Sequence, residues 1–469
     1  MKLEVRCIII EIITNSLPGF MELLPEEQIE FDRIKAIILN TYKGFGFTEL
    51  DTPAIERGST LLAKAGNEIK KQVYTVENRN LNDIKFVNSE DLSDPNLVLR
   101  FDLTVPLARY VAEHFNNLSF PFRRCHVAKV YRGERAQKGR FREFYQCDVD
   151  VIGKNELNIR YDAEIPSIIY QLFKKLNFGE FTIHLNNLKI LNGMMASLDE
   201  KVNDLEILRI IDKIEKIYES GVIRLLENQN LSSKSIEKIL KFVNINGSYE
   251  KVFAELKNIG IKNDLFFMGI AELETVVDFM VRMGVDPAYF KVDLSVARGL
   301  DYYTGTVYET KLNDYPDIGS ICSGGRYDDL ASCYTAQKLP GVGISIGLTR
   351  LFDKLREIGL ISCMKKTIAD VIIVPVDDIN IFTSLRIAQN LREKKVKVDV
   401  FLESGQFKKK LKYISKKDAK FVIVVGTEEE SSGYITVQSK IESGQVEKYK
   451  IKISELAEYL CERLKKNNL

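Results

Sequence analysis

The chain has 469 residues, 45% of them hydrophobic and 28% charged, with 67 Lys and Arg set against 66 Asp and Glu. That size supports a large buried core divided among about three domains of roughly 150 residues each, and a formal charge of +1 excludes a uniformly basic nucleic-acid binder, leaving RNA contacts to local patches. Seven cysteines, none spaced Cys-x-x-Cys, exclude a disulfide framework and fit a reducing cytoplasm, while His114, His126 and His184 stand at no metal-ligand spacing and argue against a zinc site or a histidine triad.

The apolar run at 7–13 is short and broken by Glu11, so it suits neither a spanning helix nor a secretory signal. Residues 1–18 are read as an N-terminal extension, either a misplaced start or an added edge strand. Over 25–43, Phe31, Ile34, Ile38 and Tyr42 recur at helical spacing, with a proline near the start and Gly44 after the end, which predicts an amphipathic helix. Residues 47–55 alternate as a strand would and carry Pro53.

The stretch 131–153, YRGERAQKGRFREFYQCDVDVIG, interleaves fixed cations, aromatic rings and carboxylates. Arg132, Arg135, Arg140 and Arg142 can each grip phosphate oxygens two at a time, and Phe141, Phe144 and Tyr145 offer faces for stacking, a pattern suited to a triphosphate and a flat base. Taken alone, a solvated charged hairpin explains it equally well. From about 196 to 286 the texture becomes helical, with Ile207, Ile210, Ile214 and Ile217, then Val276, Phe279 and Met280, at helical spacing, which predicts an insertion packed on itself. Three further segments follow: ARGLDYYTGTVYE at 297–309, SGGRYDDL at 323–330 and GVGISIGLTRL at 341–351.

A charged linker over 356–369 leads into a different rhythm. Strands are expected at 371–376, 396–401 and 421–425, with helices at 379–392 and 408–415, the alternation of a βαβ unit with a mainly parallel sheet. From residue 370 onward 19 Lys and Arg face 15 Asp and Glu, and the lysines at 408, 409, 410, 412, 416, 417 and 420 form either a phosphate-binding face or a solvated one.

Four such segments in one order resemble the histidyl-tRNA synthetases, class II aminoacyl-tRNA synthetases, from Gly19 to the C-terminus. ARGLDYYTGTVYE and SGGRYDDL resemble that family's two histidine-specific segments. The resemblance implies an α/β (α+β) fold: a catalytic domain over 19–355 with an antiparallel sheet flanked by helices, a helical insertion that approaches the acceptor arm of the tRNA, and an α/β anticodon-binding domain over 370–469. It also implies a homodimer built on the helix and strand near the N-terminus, with tRNA(His), L-histidine and ATP as partners, Mg²⁺ bound mainly through ATP, and neither membrane nor DNA.

By the same resemblance, Arg132 holds the α-phosphate and the histidine carboxylate, and Arg298 stabilises the transition state at that phosphorus, where other class II enzymes place a metal ion. Glu134 lies near the adenine amino group, Phe144 stacks on adenine, and Arg140 and Arg350 take the outer phosphates. Asp150 and Tyr303 face the two ring nitrogens of the substrate imidazole, one a donor and one an acceptor in the neutral form. Asp102, Leu103 and Thr104, in RFDLTVPLAR, meet the α-amino group, Gln146 the backbone end, and Tyr302 and Tyr327 line the pocket. Taken singly, each of these residues has an ordinary structural reading as a turn carboxylate or a core aromatic. A silent relative, such as the histidine-binding regulatory subunit of ATP phosphoribosyltransferase, would lack the arginine segment and the C-terminal domain.

Overall fold

The helix expected near the N-terminus runs over Pro25–Gly44 and buries Ile34, Ile38 and Tyr42 completely. The Tyr42 hydroxyl donates to the Cys147 carbonyl at 3.1 Å, so its polar tip is satisfied inside the core. In this computed structural model residues 14–466 are described, apart from 64–66, 78–96, 136–138, 199, 201–202, 298, 300–301 and 441–444. The extension at 1–18 therefore falls mostly outside the described residues. The chain divides into two units, one holding 14–22 and Ile34–Ile361, the other Leu23–Arg33 and Ser362–Leu469.

Ten strands are described in the first unit: β1 (Thr48–Glu49), β2 (Ile55–Arg57), β3 (Leu97–Leu99), β4 (Phe122–Tyr131), β5 (Glu143–Ile152), β6 (Phe181–Asn187), β7 (Phe290–Val292), β8 (Thr306–Leu312), β9 (Cys322–Tyr327) and β10 (Gly341–Gly347). The single strand expected over 47–55 is two short ones, because Pro53 has no N–H to give to a ladder. β2 and β3 form a separate antiparallel ribbon, and the other eight make one sheet in the order β1-β4-β5-β10-β9-β8-β6-β7. Its interior pairings are antiparallel, with parallel pairs only at its two ends, β1 with β4 and β6 with β7.

Helices flank this sheet. Arg160–Leu176 buries one whole face, including Ile165, Ile168, Ile169, Leu172 and Phe173. Its Asp162 is fully buried and receives Nε and Nη2 of Arg326 from β9 at 3.0 and 2.7 Å, while Arg326 also donates to the Leu157 carbonyl at 3.0 Å. The Tyr308 hydroxyl on β8 donates to the Asp162 carbonyl at 2.7 Å, tying helix and sheet together again.

The insertion does not pack only on itself, as its periodicity suggested. Its last helix, Asp264–Arg282, buries Phe266, Gly269, Ile270, Leu273, Val276, Val277 and Met280, more than one stripe can hold, and packs on Leu188–Met195 and Arg160–Leu176 of the body. Glu272 fastens that contact by accepting from Asn187 at 2.9 Å and from Lys189.

In the second unit, β11 (Val371–Pro375), β12 (Val398–Val400), β13 (Phe421–Val425), β14 (Tyr434–Lys440) and β15 (Val446–Lys452) form a sheet in the order β12-β11-β13-β14-β15. The first three pair in parallel as expected; the antiparallel hairpin β14–β15 was not foreseen, because the exposed sequence VEKYKIK of β15 carries little apolar signal. Val371, Ile373, Leu391, Phe421 and Ile423 share one core, while Ile372 and Val374 face Phe401, Phe407 and Tyr413 on the other side. Lys410 leaves the expected phosphate-binding group: it is 1% exposed and its Nζ donates to the Pro375 and Val376 carbonyls at 3.0 and 3.2 Å, closing the end of β11. Lys408, Lys409, Lys412 and Lys416 remain on the solvent side of Phe407–Lys417. No described helix is long and apolar enough to cross a membrane.

Candidate active site

Alternate residues of a strand share a face, so Gln146, Asp148 and Asp150 of β5 project together while Cys147, Val149 and Val151 fill the opposite, buried side. In register, Arg124 of β4, Asp150 and Gly343 of β10 form one rung, and His126, Asp148 and Ser345 the next. Over these rungs lies a cavity of about 200 Å³ lined by Asp102, Thr104, Arg132, Gln146, Asp148, Asp150, Tyr302, Tyr303 and Tyr327, with Gly343 and Ser345 in its floor. A second cavity of about 520 Å³ shares Arg132, Gln146, Tyr302, Tyr303 and Ser345 with the first and adds Glu134, Arg140, Phe144 and Arg350.

Most residues singled out from sequence thus meet around two adjoining spaces. Leu103 does not: its side chain is buried with Ala128, Val130 and Phe144, and its carbonyl accepts from Arg124 Nη2 at 2.8 Å. Arg298 lies outside the described residues. Sequence reasoning missed Arg124, Asp148 and Ser345. For Asp148 a signal existed, since it stands two residues from both Gln146 and Asp150 and must share their face; Arg124, in the strand FRRCHVAKVY, has no such marker.

The inner cavity is acidic and buried. Asp150 accepts from the Tyr327 hydroxyl at 2.9 Å and its other oxygen lies 3.2 Å from Arg124 Nη2, a charge contact without the alignment of a hydrogen bond. Burial raises the Asp150 carboxyl against the pull of Arg124. Burial pushes Asp148 up to about 7, with Arg124 opposing and Asp150 adding to the shift. Asp102 is pushed up to about 6 by burial, opposed by the Val105 N–H that it receives at 3.2 Å at the start of Thr104–Glu113. Buried polar atoms with no protein partner gather here: Nε and Nη1 of Arg124, Oε1 of Gln146, Oδ1 of Asp148 and Oδ2 of Asp150. Such atoms are costly unless a ligand meets them.

The raised Asp148 pKa gives a stability effect of definite sign. Its folded value exceeds the unfolded one, so the ionised carboxylate opposes folding increasingly as pH rises from about 4 through about 7. Asp148→Asn should therefore be more stable than the parent at pH 8 by on the order of 2 kcal/mol, and the gap should close towards pH 4, as read from denaturant unfolding at both pH values.

Two glycines make room for this geometry. A Cβ on Gly343 would lie 2.2 Å from Asp150 Oδ1 and 2.5 Å from the Val149 carbonyl oxygen. Gly299 has φ +66°, and a Cβ there would stand 2.0 Å from the Tyr303 ring, which explains why ARGLDYY needs its glycine. Tyr303 in turn accepts from the Tyr302 hydroxyl at 3.2 Å, and Tyr302 is 43% exposed at the mouth. Burial holds the Tyr303 phenol far above its ordinary pKa, so it keeps its proton for hydrogen bonding.

The outer cavity has the opposite charge. Arg132 stands at the junction, with Nε donating to the Phe101 carbonyl at 3.0 Å and its guanidinium 5.2 Å from the centre of the Phe144 ring. Arg350 donates to the Ile318 carbonyl at 3.0 Å, and Arg140 reaches Glu134 at 3.7 Å. Planar cations around an open, polar space suit a polyphosphate, and the Phe144 ring offers a stacking face. No group of three His, Cys, Asp or Glu among the described residues could hold a metal ion. His126 and His184 serve structure, bonded to Asp51 at 2.7 Å and Asp293 at 2.6 Å, and burial pushes His126 down to about 4.

Comparison with known proteins adds to this geometry. The family model for histidyl-tRNA synthetase matches residues 19–351, and that for an anticodon-binding domain matches 370–463. A histidine–tRNA ligase from Clostridium tetani is 51% identical over 433 residues, 92% of this chain and 94% of the relative. One from Finegoldia magna is 44% identical over 434 residues, covering 92% and 96%. Among solved structures, the histidyl-tRNA synthetase from Nostoc sp. PCC 7120 aligns with a TM-score of 0.87 at 37% identity, over 97% of this chain and 100% of that one. An ATP phosphoribosyltransferase regulatory subunit/histidyl-tRNA synthetase from Bacillus halodurans C aligns at 0.71 and 20% identity, over 88% and 99%, a likeness of fold alone.

Proposed function

Because the chain belongs to the histidyl-tRNA synthetase family, we propose that the inner cavity takes L-histidine, the outer one ATP, and that the second unit reads tRNA(His). The reaction is that of a histidine–tRNA ligase. A carboxylate oxygen of histidine attacks the α-phosphorus of ATP, the bond to the bridging oxygen breaks, and pyrophosphate leaves with the electron pair. The acyl group of histidyl-adenylate then passes to the terminal ribose of the tRNA.

The observation that carries this reading is the pair of adjoining cavities of opposite charge with Arg132 in the wall of both. Two anions must be brought together, so alignment and charge compensation supply most of the rate. Asp150 and Tyr303 take the imidazole nitrogens, Asp102, Thr104 and Gln146 the amino-acid end, and Tyr302 and Tyr327 complete the walls. Arg132 bridges the histidine carboxylate and the α-phosphate, and Arg298 stabilises the same phosphorus. Glu134 and Phe144 take adenine, and Arg140 and Arg350 the outer phosphates. A pocket whose buried groups match imidazole rejects isosteres by leaving those groups unpaired. ATP would bring Mg²⁺, held mainly by its own phosphates, and the ion would offset their charge; among the described residues lining the outer cavity Glu134 is the one carboxylate that could assist. The reading extends to a cytoplasmic homodimer assembled through Pro25–Gly44 and β1.

Histidine-dependent exchange of pyrophosphate into ATP, followed by charging of tRNA(His), tests it. A protein that only bound histidine would use the inner cavity and show neither activity. Gly343→Ala should raise the KM for histidine by about tenfold while leaving that for ATP near the parent value, since the added methyl displaces Asp150 and not the arginines. An equal rise in both constants would remove Asp150 from imidazole recognition.

A further inference from the structure

Asp148 is 2% exposed, lines the inner cavity, and leaves Oδ1 without a protein partner. It stands directly opposite Ser345 in register on the neighbouring strand, and the Ser345 hydroxyl acts on its carboxyl by favouring the ionised form. The same Ser345 hydroxyl oxygen accepts from Gln146 Nε2 at 3.0 Å. A hydroxyl has one hydrogen to give. Accepting from the amide, Ser345 can direct its own O–H to the carboxylate, and the sequence of donors runs amide to hydroxyl to carboxylate. A reversed Gln146 amide would set Oε1 against Ser345, forcing one hydrogen to serve two acceptors. The arrangement therefore leaves Gln146 Oε1 buried, free, and available as an acceptor.

We propose that Asp148 is a positioning residue for histidine, acting through Ser345 to hold Gln146 with Oε1 as an acceptor for the α-ammonium group. The inference rests on reading the inner cavity as the histidine site. Gln146 and Ser345 line both cavities, so they stand where the backbone end of the amino acid must lie to reach ATP. An ammonium group has three N–H donors, and Asp102, Thr104 and Gln146 Oε1 offer an acceptor each. The imidazole, by contrast, belongs to Asp150, two residues further along β5, beside Tyr327.

The test compares Asp148→Leu, which keeps the branched shape but loses the acceptor, with Asp148→Asn, which keeps an acceptor oxygen, and with Ser345→Ala, in histidine-dependent pyrophosphate exchange. Asp148→Leu and Ser345→Ala should each raise the KM for histidine about tenfold with the KM for ATP unchanged, and Asp148→Asn should raise it about threefold at most. The double variant Asp148→Leu/Ser345→Ala should be no worse than the poorer single one, because both cut one chain of bonds. A histidine KM within twofold of the parent in Asp148→Leu, or in Ser345→Ala where the former does not fold, overturns the proposal. So does additivity of the two singles. Parent protein with no histidine-dependent exchange would overturn the reading of the cavity itself, a result separate from these.

Discussion

Arg132→Ala should lower histidine-dependent pyrophosphate exchange by about 10²- to 10³-fold, the cost of removing one well-placed charge from a preorganised site. Arg132 is the only guanidinium among the described residues that lines both cavities, and Phe101 and Phe144 hold it at their junction, where the proposed reading brings histidine and ATP together. Its loss leaves the carboxylate of histidine and the α-phosphate of ATP repelling each other across a weakly screened space. Because its contribution lies in the transition state more than in binding, the fall should appear in kcat, with the KM for ATP changing by less than about tenfold. Single-turnover formation of histidyl-adenylate separates the two terms. Activity within tenfold of the parent would assign the compensation to other groups.

The largest effect on stability is expected at Asp162. Asp162→Ala should cost about 3 kcal/mol, because it leaves the buried Arg326 guanidinium with only the partly exposed Asp328, 3.5 Å away, as counter-charge. Replacing the pair together, as Asp162→Leu/Arg326→Met, should cost less than the single change, since no uncompensated charge then remains. Denaturant unfolding of the three variants measures both. If the double variant proves less stable than the single one, the ion pair contributes more than the avoidance of a buried charge. The same contact changes the meaning of SGGRYDDL. In that segment Tyr327 reaches the inner cavity, whereas Arg326 turns away to brace the helix Arg160–Leu176.

What was readable in the sequence followed from local periodicity. Tyr42 and Ile38 lie where helical spacing placed them, and the alternation of β5 brought Gln146 and Asp150 to one face. The βαβ rhythm of the second unit was legible because its central strands are uniformly apolar. What stayed hidden depends on partners far along the chain. Arg124 acquires its place only because β4 and β5 pair so that it stands opposite Asp150. Lys410 looks like its neighbours in a lysine run, and only the end of β11, 34 and 35 residues away, decides that it is buried. Leu103 sits in a motif of which Asp102 and Thr104 line the inner cavity, while its own side chain serves the core. The last helix of the insertion had too many apolar positions for one stripe, a surplus that its spacing showed without naming the surface that covers it.

The shared wall of Arg132, Gln146, Tyr302, Tyr303 and Ser345 has a pharmacological consequence. A tethered molecule that fills both spaces at once surrenders its translational freedom a single time, whereas two separate compounds surrender it twice. On the proposed reading, inert mimics of the mixed anhydride that span that wall should bind much more tightly than either half.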